Sequence, residues 1–325
     1  MGKTILRVGF LVVFIGLVGP CAAQTGESPK LFAPEVISGA ADDLSPAFTP
    51  DGKTVFFTRG NASSSMILAS SFVNGQWSTP EIAPFSGEWR DLEATMAPDG
   101  SFLVFASNRP SAAGGQALEG HYDNKSVPGG GGNLWRVDRV GQGWRTPKRL
   151  PDTINGDTGT FSPSISQDGS LYFMRPDNHV GSFHLYRSQY RNGTYAPPER
   201  VAVGDDTTED VDPAVAADES YMVYSSSHVG KGDPKRLRIV LRGKNGWGAP
   251  IDLGDIVNEQ SSNIEARLSP DGKTLYFSTN TVPPVTYPRS KEHAQRDLEQ
   301  MQVWANGRQN IWYVPLVPWL DRPPQ

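Results

Sequence analysis

Cysteine is the scarcest residue of this sequence, and its scarcity excludes several kinds of site. The 325 residues contain a single cysteine, Cys21. One cysteine cannot form a disulfide within the chain or a paired-cysteine zinc site. Pro20 disfavours lipidation of Cys21, because lipidation signals prefer a small residue directly before the cysteine. The chain must therefore be stabilised by a core large enough to do without disulfides.

Long apolar runs are also absent, with the exception of Val8 to Val18. This run follows the basic residues Lys3 and Arg7 and is too short to span a bilayer comfortably. Small residues then provide a cleavage site at Cys21-Ala22-Ala23. We predict a signal peptide at residues 1–23, export to the periplasm or medium of a bacterium, and no transmembrane segment after cleavage.

Positive charge is in deficit, with 30 basic residues against 35 acidic ones and a formal net charge of −5. Cleavage after Ala23 would remove Lys3 and Arg7 and bring the net charge to −7. Nucleic acids and anionic membranes attract basic surfaces. The composition therefore argues against both as partners.

Sequence motifs of common hydrolases are missing as well. There is no Gly-x-Ser-x-Gly nucleophile elbow and no His-Glu-x-x-His zinc helix. The five histidines are dispersed along the chain: His121, His179, His184, His228 and His293. The sequence thus presents no catalytic signature of these classes.

What the sequence does contain is one short pattern, repeated five times. Each copy reads as a short strand, a turn of the Pro-Asp-Gly type and a strand ending in an aromatic residue. The copies lie at residues 45–57, 93–105, 162–173, 212–224 and 265–277. Units recurring about every fifty residues must stack to bury their apolar faces.

Two further strands follow each of the first four copies. Hairpin signals such as Asn192-Gly193 separate them, and the last strand carries an aromatic residue followed by proline, as in Trp247 and Pro250. The fifth copy lacks this last strand, and residues 34–37 before the first copy resemble it. We predict an all-β propeller of five four-stranded blades, closed by this N-terminal strand; six blades are the alternative.

The domain organisation follows from the extent of the repeat. Residues 24–30 form an N-terminal segment, residues 31–316 a single propeller domain and residues 317–325 a C-terminal tail.

The motif Ser-Pro-Asp-Gly-Lys before an aromatic-ended strand, at residues 269–277, resembles the repeat of TolB-like β-propellers. The resemblance covers residues 31 to 316 and implies the propeller fold. It also implies a secreted or cell-envelope protein. Such relatives include binding modules and proteins with an attached enzyme domain, and some five-bladed propellers of other families cleave glycans.

The repeat also serves as a register for locating a site. The positions six and eight residues before the turn aspartate are equivalent in every repeat. In four of the five blades these positions hold carboxylates, six in total. These acids, and the candidate residues after the second strands, are Asp43, Asp91, Glu93, Asp210, Asp212 and Glu265, with Arg59, Arg109, Arg175 and His228. We predict that all of them open on one mouth of the central channel.

Two interpretations of that mouth stay open. Arginine–carboxylate pairs between blades would make it structural, whereas unpaired acids would form a polar funnel for a cation, a sugar or a peptide. Two insertions, at residues 110–132 and 281–309, belong to the same mouth. We read Gly129–Gly132 as a flexible hinge. We also predict a helix starting at Ser290, with Leu298 and Met301 packed onto the propeller.

The expected function is a binding or protein-interaction scaffold whose partner is a cell-envelope protein, a peptide or a glycan. The alternative is a glycan-cleaving enzyme that uses two funnel carboxylates. A third hypothesis is a Ca²⁺ site in the channel; no other cofactor is implied. A funnel carboxyl with a raised pKa and no arginine partner would favour catalysis.

Overall fold

A computed structural model describes residues 27–61, 63–122, 125–177, 182–258, 262–282 and 284–321. The predicted signal peptide and His179 lie outside these residues. None of the helices within the described ranges is long and apolar enough to cross a membrane.

Each sequence repeat folds into one antiparallel blade, and the second and third repeats add a separate two-stranded hairpin. In chain order the strands begin with β1 (Lys30–Leu31). The first repeat forms β2 (Asp42–Phe48), β3 (Thr54–Gly60), β4 (Ser65–Val73), β5 (Gln76–Trp77) and β6 (Glu81–Ile82). The second forms β7 (Asp91–Met96), β8 (Phe102–Ser107), β9 (Gly120–Tyr122), β10 (Lys125–Val127), β11 (Asn133–Val140), β12 (Gly143–Trp144) and β13 (Lys148–Arg149).

The remaining repeats follow the same order. The third forms β14 (Phe161–Ile165), β15 (Leu171–Pro176), β16 (Phe183–Ser188), β17 (Tyr190–Arg191), β18 (Thr194–Tyr195) and β19 (Glu199–Arg200). The fourth forms β20 (Thr208–Val215), β21 (Tyr221–His228), β22 (Arg236–Gly243), β23 (Gly246–Trp247), β24 (Ile251–Asp252) and helix α1 (Asp255–Asn258). The fifth forms β25 (Asn263–Leu268), β26 (Thr274–Thr279), α2 (Lys291–Val303), β27 (Asn310–Pro315) and α3 (Val317–Leu320).

The five sheets form a ring, and the protein is a five-bladed β-propeller. The innermost strands β2, β7, β14, β20 and β25 each contact the innermost strand of the next blade, and β25 contacts β2. The predicted five blades are therefore confirmed. Blades 1 to 5 are numbered here in the order of the repeats.

An N-terminal strand completes blade 5, as predicted, but it is not the segment at residues 34–37. The strand is β1, in which Lys30 pairs with Tyr313 and Leu31 with Trp312. Residues 34–37 instead follow Ala33, which has φ of 42°, and form a turn. The sequence similarity between Pro34-Glu35 and Pro80-Glu81 is misleading here. Prolines occur at more than one position in these linkers, so they do not identify equivalent residues.

Apolar side chains fill the spaces between blades. Five buried clusters separate successive blades, including one between blades 5 and 1. Residues 317–320, expected in a tail, form helix α3, and its Trp319 is fully buried in the cluster between blades 4 and 5. The C-terminal segment thus contributes to the core.

The two insertions differ from the predicted picture. Helix α2 begins as expected, because the Ser290 hydroxyl accepts a hydrogen bond from the His293 N–H. No residue of α2 is buried, and Leu298 and Met301 are 47% and 53% exposed, so the predicted packing onto the propeller was wrong.

The glycine run at residues 129–132 is not a hinge. The Gly132 N–H donates to the Thr158 carbonyl at 2.7 Å, and the Gly131 N–H donates to Leu118 at 2.9 Å. A Cβ added at Gly132 would lie 2.1 Å from the ring of Phe161. Glycine is required here because the backbone of blade 2 packs directly against blade 3.

Candidate functional site on the propeller axis

Every innermost strand carries a β-bulge at the same register. At each bulge one residue with positive φ is inserted into the strand pairing: Ser45 (51°), Glu93 (57°), Ser162 (47°), Asp212 (57°) and Glu265 (57°). None of these is a glycine, so each left-handed backbone is strained. Three of the five are carboxylates that the sequence register had selected.

The five bulge residues surround the axis and are here called the axial ring; three hydrogen bonds join them in pairs. The Ser162 N–H donates to Glu93 Oε2 at 2.6 Å, and the Glu265 N–H donates to Asp212 Oδ2 at 2.9 Å. The Ser45 hydroxyl donates to Glu265 Oε2 at 2.6 Å and joins blade 1 to blade 5. Each of these bonds crosses from one blade to another, so the ring ties the blades together.

The guanidinium of Arg267 lies next to the axial ring. Its Nη2 donates to Glu265 Oε2 at 3.2 Å, and both Nη atoms lie 3.3 Å from the Ser162 hydroxyl across the channel. The side chain is 5% exposed, and its Nε has no hydrogen-bond partner among the described residues. The Arg267 guanidinium thus contacts Glu265, and its charge also acts on the buried carboxylates of Glu93 and Asp212.

Burial governs the protonation of these acids. It raises the pKa of Glu93 and of Asp212, and the charge of Asp212 raises that of Glu93 further. The pKa of Glu265 is raised well above its ordinary value by burial and then by the charges of Asp212 and Glu93. Three like charges in a low-dielectric channel repel, so ionisation of all three acids together is disfavoured.

The acids nearer the strand starts behave differently. Arg59 Nε donates to Asp43 Oδ1 at 2.6 Å, and Arg109 binds both carboxylate oxygens of Asp91. Burial raises the pKa of Asp43 to about 6 and raises that of Asp91, while the arginines oppose the shift. Each pair lies within one blade rather than between blades, because the first strand of a hairpin carries the acid and the end of its second strand, or the residues just after it, carries the arginine.

These pairs also hold the linkers between blades. Arg59 donates to the carbonyl of Ile37 at 2.9 Å, and Arg109 donates to that of Phe85 at 2.7 Å. The pairs therefore serve a structural purpose at that end of the channel.

The other three predicted residues do not join the axial ring. Asp210 accepts from the hydroxyls of Ser226 at 2.7 Å and Thr208 at 3.1 Å. The guanidinium of Arg175 lies 4.2 Å from the ring centroid of Tyr186. Exposed His228 lies 3.0 Å from Asp233 and lines a cavity of about 270 Å³.

A larger cavity opens at the opposite end of the axis, on the face that carries the Asp-Gly turns. This axial pocket has a volume of about 440 Å³. All five blades line it at the position four residues before the turn aspartate, with Ala47, Thr95, Ser164, Ala214 and Arg267. Arg267 therefore separates the axial ring from the pocket and forms the floor of the pocket.

Sequence reasoning missed both Arg267 and this face. The signal was present in the register, since four blades place alanine, threonine or serine where blade 5 places an arginine. Small residues around an axis leave room for one long side chain. The carboxylates of the repeat point instead to the opposite mouth.

Metal-binding side chains are not clustered in the part of the chain that the structure describes. Among the described residues, no group of three or more histidine, cysteine, aspartate or glutamate side chains has a geometry that could hold a metal ion. The Ca²⁺ site of carboxylates and backbone carbonyls therefore stays a prediction.

Comparison with known proteins supports the fold and leaves the function open. No protein-family model and no curated protein sequence matches the chain. An α-L-arabinofuranosidase from Lactobacillus brevis is similar in structure, with a TM-score of 0.54 and 11% identity, over 88% of this chain and 92% of that one. An α-L-arabinofuranosidase from Podospora anserina, solved with cellotriose, gives 0.52 and 12% over 90% and 97%.

The solved structures similar to this chain also include TolB proteins. TolB from Acinetobacter baumannii gives a TM-score of 0.46 and 17% identity over 85% of this chain. The chain spans only 54% of the length of that TolB.

Proposed function

We propose that the protein is a binding propeller and that its ligand occupies the axial pocket on the turn face. The observation that carries the proposal is the convergence of all five blades on one cavity of about 440 Å³ with a buried arginine at its floor. Cavities of roughly 300–1,000 Å³ with a few polar groups among apolar walls are typical of ligand sites.

The strained bulges support this position. Non-glycine residues at positive φ cost about 1–3 kcal/mol each and cluster at functional sites. Here five of them surround the axis next to the pocket. One of them, Glu265, accepts a hydrogen bond from Arg267 and so helps to position the floor of the pocket.

The mouth at the strand starts is a less suitable position. Asp43 and Asp91 are already paired with arginines that also hold the linkers between blades. A ligand there would have to displace buried ion pairs, which is costly. We therefore assign the ligand to the opposite end of the same axis.

A ligand screen tests the proposal. Binding to the native state raises the melting temperature, and ligand at 100 times Kd contributes about 2.7 kcal/mol. Ala217 is exposed at the rim of the pocket, so Ala217→Trp should block entry without disturbing the core. Exposed Ala112, outside the described cavities, provides the control Ala112→Trp. A thermal shift that survives Ala217→Trp unchanged would refute this location.

Glycan cleavage is the second candidate, and one observation favours it. Glu93 and Asp212 have raised pKa values, and their carboxylates accept hydrogen bonds from backbone N–H groups of the next blade. No ion pair with an arginine joins either of them among the described residues. Release of sugar from chromogenic α-L-arabinofuranosides and related glycosides, abolished by Glu93→Gln in a folded protein, would support catalysis. No release from any glycoside would leave binding as the function.

We also propose that residues 1–23 are a signal peptide and that the mature protein acts outside the cytoplasm, with a cell-envelope protein, peptide or glycan as its partner. Intact mass measurement of protein from the native host tests this. A mature chain that begins at Gln24 is expected, and a retained Met1 would contradict export by cleavage.

A further inference from the structure

A second cavity on the turn face lies between blades 2 and 3. It has a volume of about 350 Å³. Aromatic residues from both blades line it, with Phe102 on one side and Tyr190 and Tyr195 on the other. The two tyrosine rings lie 4.9 Å apart, and the guanidinium of Arg136 lies 3.6 Å from the ring of Phe102. We call this cavity the side cleft.

The side cleft adjoins the axial pocket. Ala97, Pro98, Ile165 and Gln167 line both of them. A ligand longer than the axial pocket can therefore extend outward from the axis along the seam between blades 2 and 3. The shape favours a chain-like ligand over a compact one.

Two turn aspartates supply hydrogen-bond acceptors inside the cleft. Asp99 Oδ1 accepts from the N–H and the hydroxyl of Ser101 at 2.9 and 2.6 Å. Asp168 Oδ1 accepts from Ser166 and Ser170 at 2.7 and 2.8 Å. Among the described residues, all of these turn hydrogen bonds go to Oδ1, so Oδ2 of each carboxylate can accept from a ligand.

These aspartates stay ionised over a wide pH range. Hydrogen bonds from Ser101 lower the pKa of Asp99. At Asp168 burial raises the pKa, but the hydrogen bonds from Ser170 and Ser166 outweigh it, so the pKa is lowered. Arg136 brings a positive charge into the same cleft, so the lining has both signs of charge and no large excess of either.

We propose, on the basis of the binding function above, that the axial pocket and side cleft together bind a neutral oligosaccharide. Aromatic faces pack against the C–H faces of sugar rings, while planar aspartate, glutamine and arginine groups pair with neighbouring hydroxyls. A strongly charged ligand would meet like charges as well as opposite ones, because four acidic and three basic residues line the two cavities. A neutral polyhydroxylated chain satisfies every group present.

The experiment is a calorimetric titration of the mature protein with neutral oligosaccharides of two to six units, from α- and β-linked glucan, xylan and arabinan. The expected result is an affinity that rises with length up to four or five units. Asp99→Asn keeps the Oδ1 acceptor of the turn and removes the charge, and Tyr190→Ala removes an aromatic face. Each should weaken the longer ligands about tenfold, or 1.4 kcal/mol, and leave the disaccharide unchanged.

A matched control exists in blade 1. Asp51 occupies the same turn position, and its Oδ1 accepts from Thr49 at 2.6 Å, yet it lies outside both cavities. Asp51→Asn should therefore have no effect on binding. An equal loss of affinity in Asp51→Asn and Asp99→Asn would overturn the role of the cleft.

The outcomes separate the two proposals. Length-independent binding that is blocked by Ala217→Trp overturns the side cleft and keeps the axial pocket as a ligand site. Binding of a basic peptide or an acidic oligosaccharide in preference to every neutral one overturns the ligand class. Sugar binding that Ala217→Trp leaves intact overturns both the pocket and its extension.

Discussion

The hydroxyl of Ser45 donates a 2.6 Å hydrogen bond to the carboxylate of Glu265, 220 positions later in the chain. This contact closes the propeller at its axis by joining blade 1 to blade 5. At the periphery, β1 closes the same pair of blades by completing the sheet of β27. The ring is thus closed twice, once by a side-chain bond in the channel and once by a backbone ladder.

The inner closure can be tested by removing the donor. Ser45→Ala leaves the buried Glu265 carboxyl short of a hydrogen bond and should lower the free energy of unfolding by about 1–3 kcal/mol. Ser45→Gly loses the same bond but also relieves the strain at φ 51°, which is worth about 1–2 kcal/mol, so it should destabilise less than alanine. Urea denaturation measures both.

The control is Ser126→Ala, at an exposed serine whose hydroxyl lies 3.3 Å from Glu119. It should change stability by less than about 0.5 kcal/mol. If Ser45→Ala were as mild as Ser126→Ala, the inner closure would contribute nothing.

The outer closure depends on Phe32, which follows β1. Its ring lies 5.2 to 6.4 Å from the rings of Phe48, Trp77, Tyr276 and Tyr313. Phe32→Ala should destabilise the protein by about 3–5 kcal/mol, because it opens a cavity between the first and last blades. The matched variant Phe72→Ala removes a ring that is 44% exposed and should cost far less. Similar midpoints in urea for both variants would contradict this reading.

The sequence predicted the ring of blades because each Asp-Gly turn marks one blade. It failed at the closing strand because two residues, Lys30 and Leu31, carry too little pattern to be recognised. They are structurally equivalent to Glu81 and Ile82, and the hydrogen bond of the next residue shows this. The Phe32 N–H donates to the Ile311 carbonyl, just as the Ala83 N–H donates to the Ile67 carbonyl. Short edge strands are defined by their partner rather than by their own composition.

In the turn of blade 4, backbone strain and ion pairs have opposite effects on stability. Blade 4 has Glu219, at φ 58°, where the other four turns have glycine. Arg187 binds this glutamate at 2.8 Å, and Arg242 also pairs with it, which links blades 3 and 4. Glu219→Ala loses both pairs and keeps the strain, whereas Glu219→Gly loses the pairs and removes the strain.

Glu219→Gly should therefore be the more stable of the two variants by about 1 kcal/mol. Thermal unfolding at matched salt concentration measures the difference, and 1 M salt should reduce the gap between wild type and both variants. A glycine variant that is less stable than the alanine variant would show that the turn is not strained.

The candidate site was predictable only in part. The repeat register correctly brought Glu93, Asp212 and Glu265 together, because equivalent positions of a ring share one axis. It placed Asp43, Asp91 and Asp210 on the same rim, although they lie one level nearer the strand starts and bind within their own blades. The repeat register predicts the position of a residue along its strand. It does not predict the bulge that turns the later acids toward the axis, because the bulge residues are not glycines and their sequence does not indicate a positive φ.

The buried acids predict a stability that falls with rising pH. The pKa of Glu265 is raised by burial and by the charges of Asp212 and Glu93. Between the ordinary glutamate value of 4.5 and this raised pKa, the folded state keeps a proton that the unfolded chain has lost. The free energy of unfolding therefore decreases as pH rises through this window. We expect these groups to make the free energy of unfolding of wild type larger at pH 5 than at pH 8. Urea denaturation at both pH values measures the difference.

Glu265→Gln removes the titrating group and keeps an oxygen acceptor for Ser45 and Arg267. It should lose less stability than wild type between pH 5 and pH 8, while Glu88→Gln, at an exposed position, should follow wild type. Because Asp212 and Glu93 have raised pKa values of their own, a smaller slope should remain in Glu265→Gln. An unchanged slope in Glu265→Gln would mean that Glu265 is ionised throughout this range and that Arg267 compensates its charge in full.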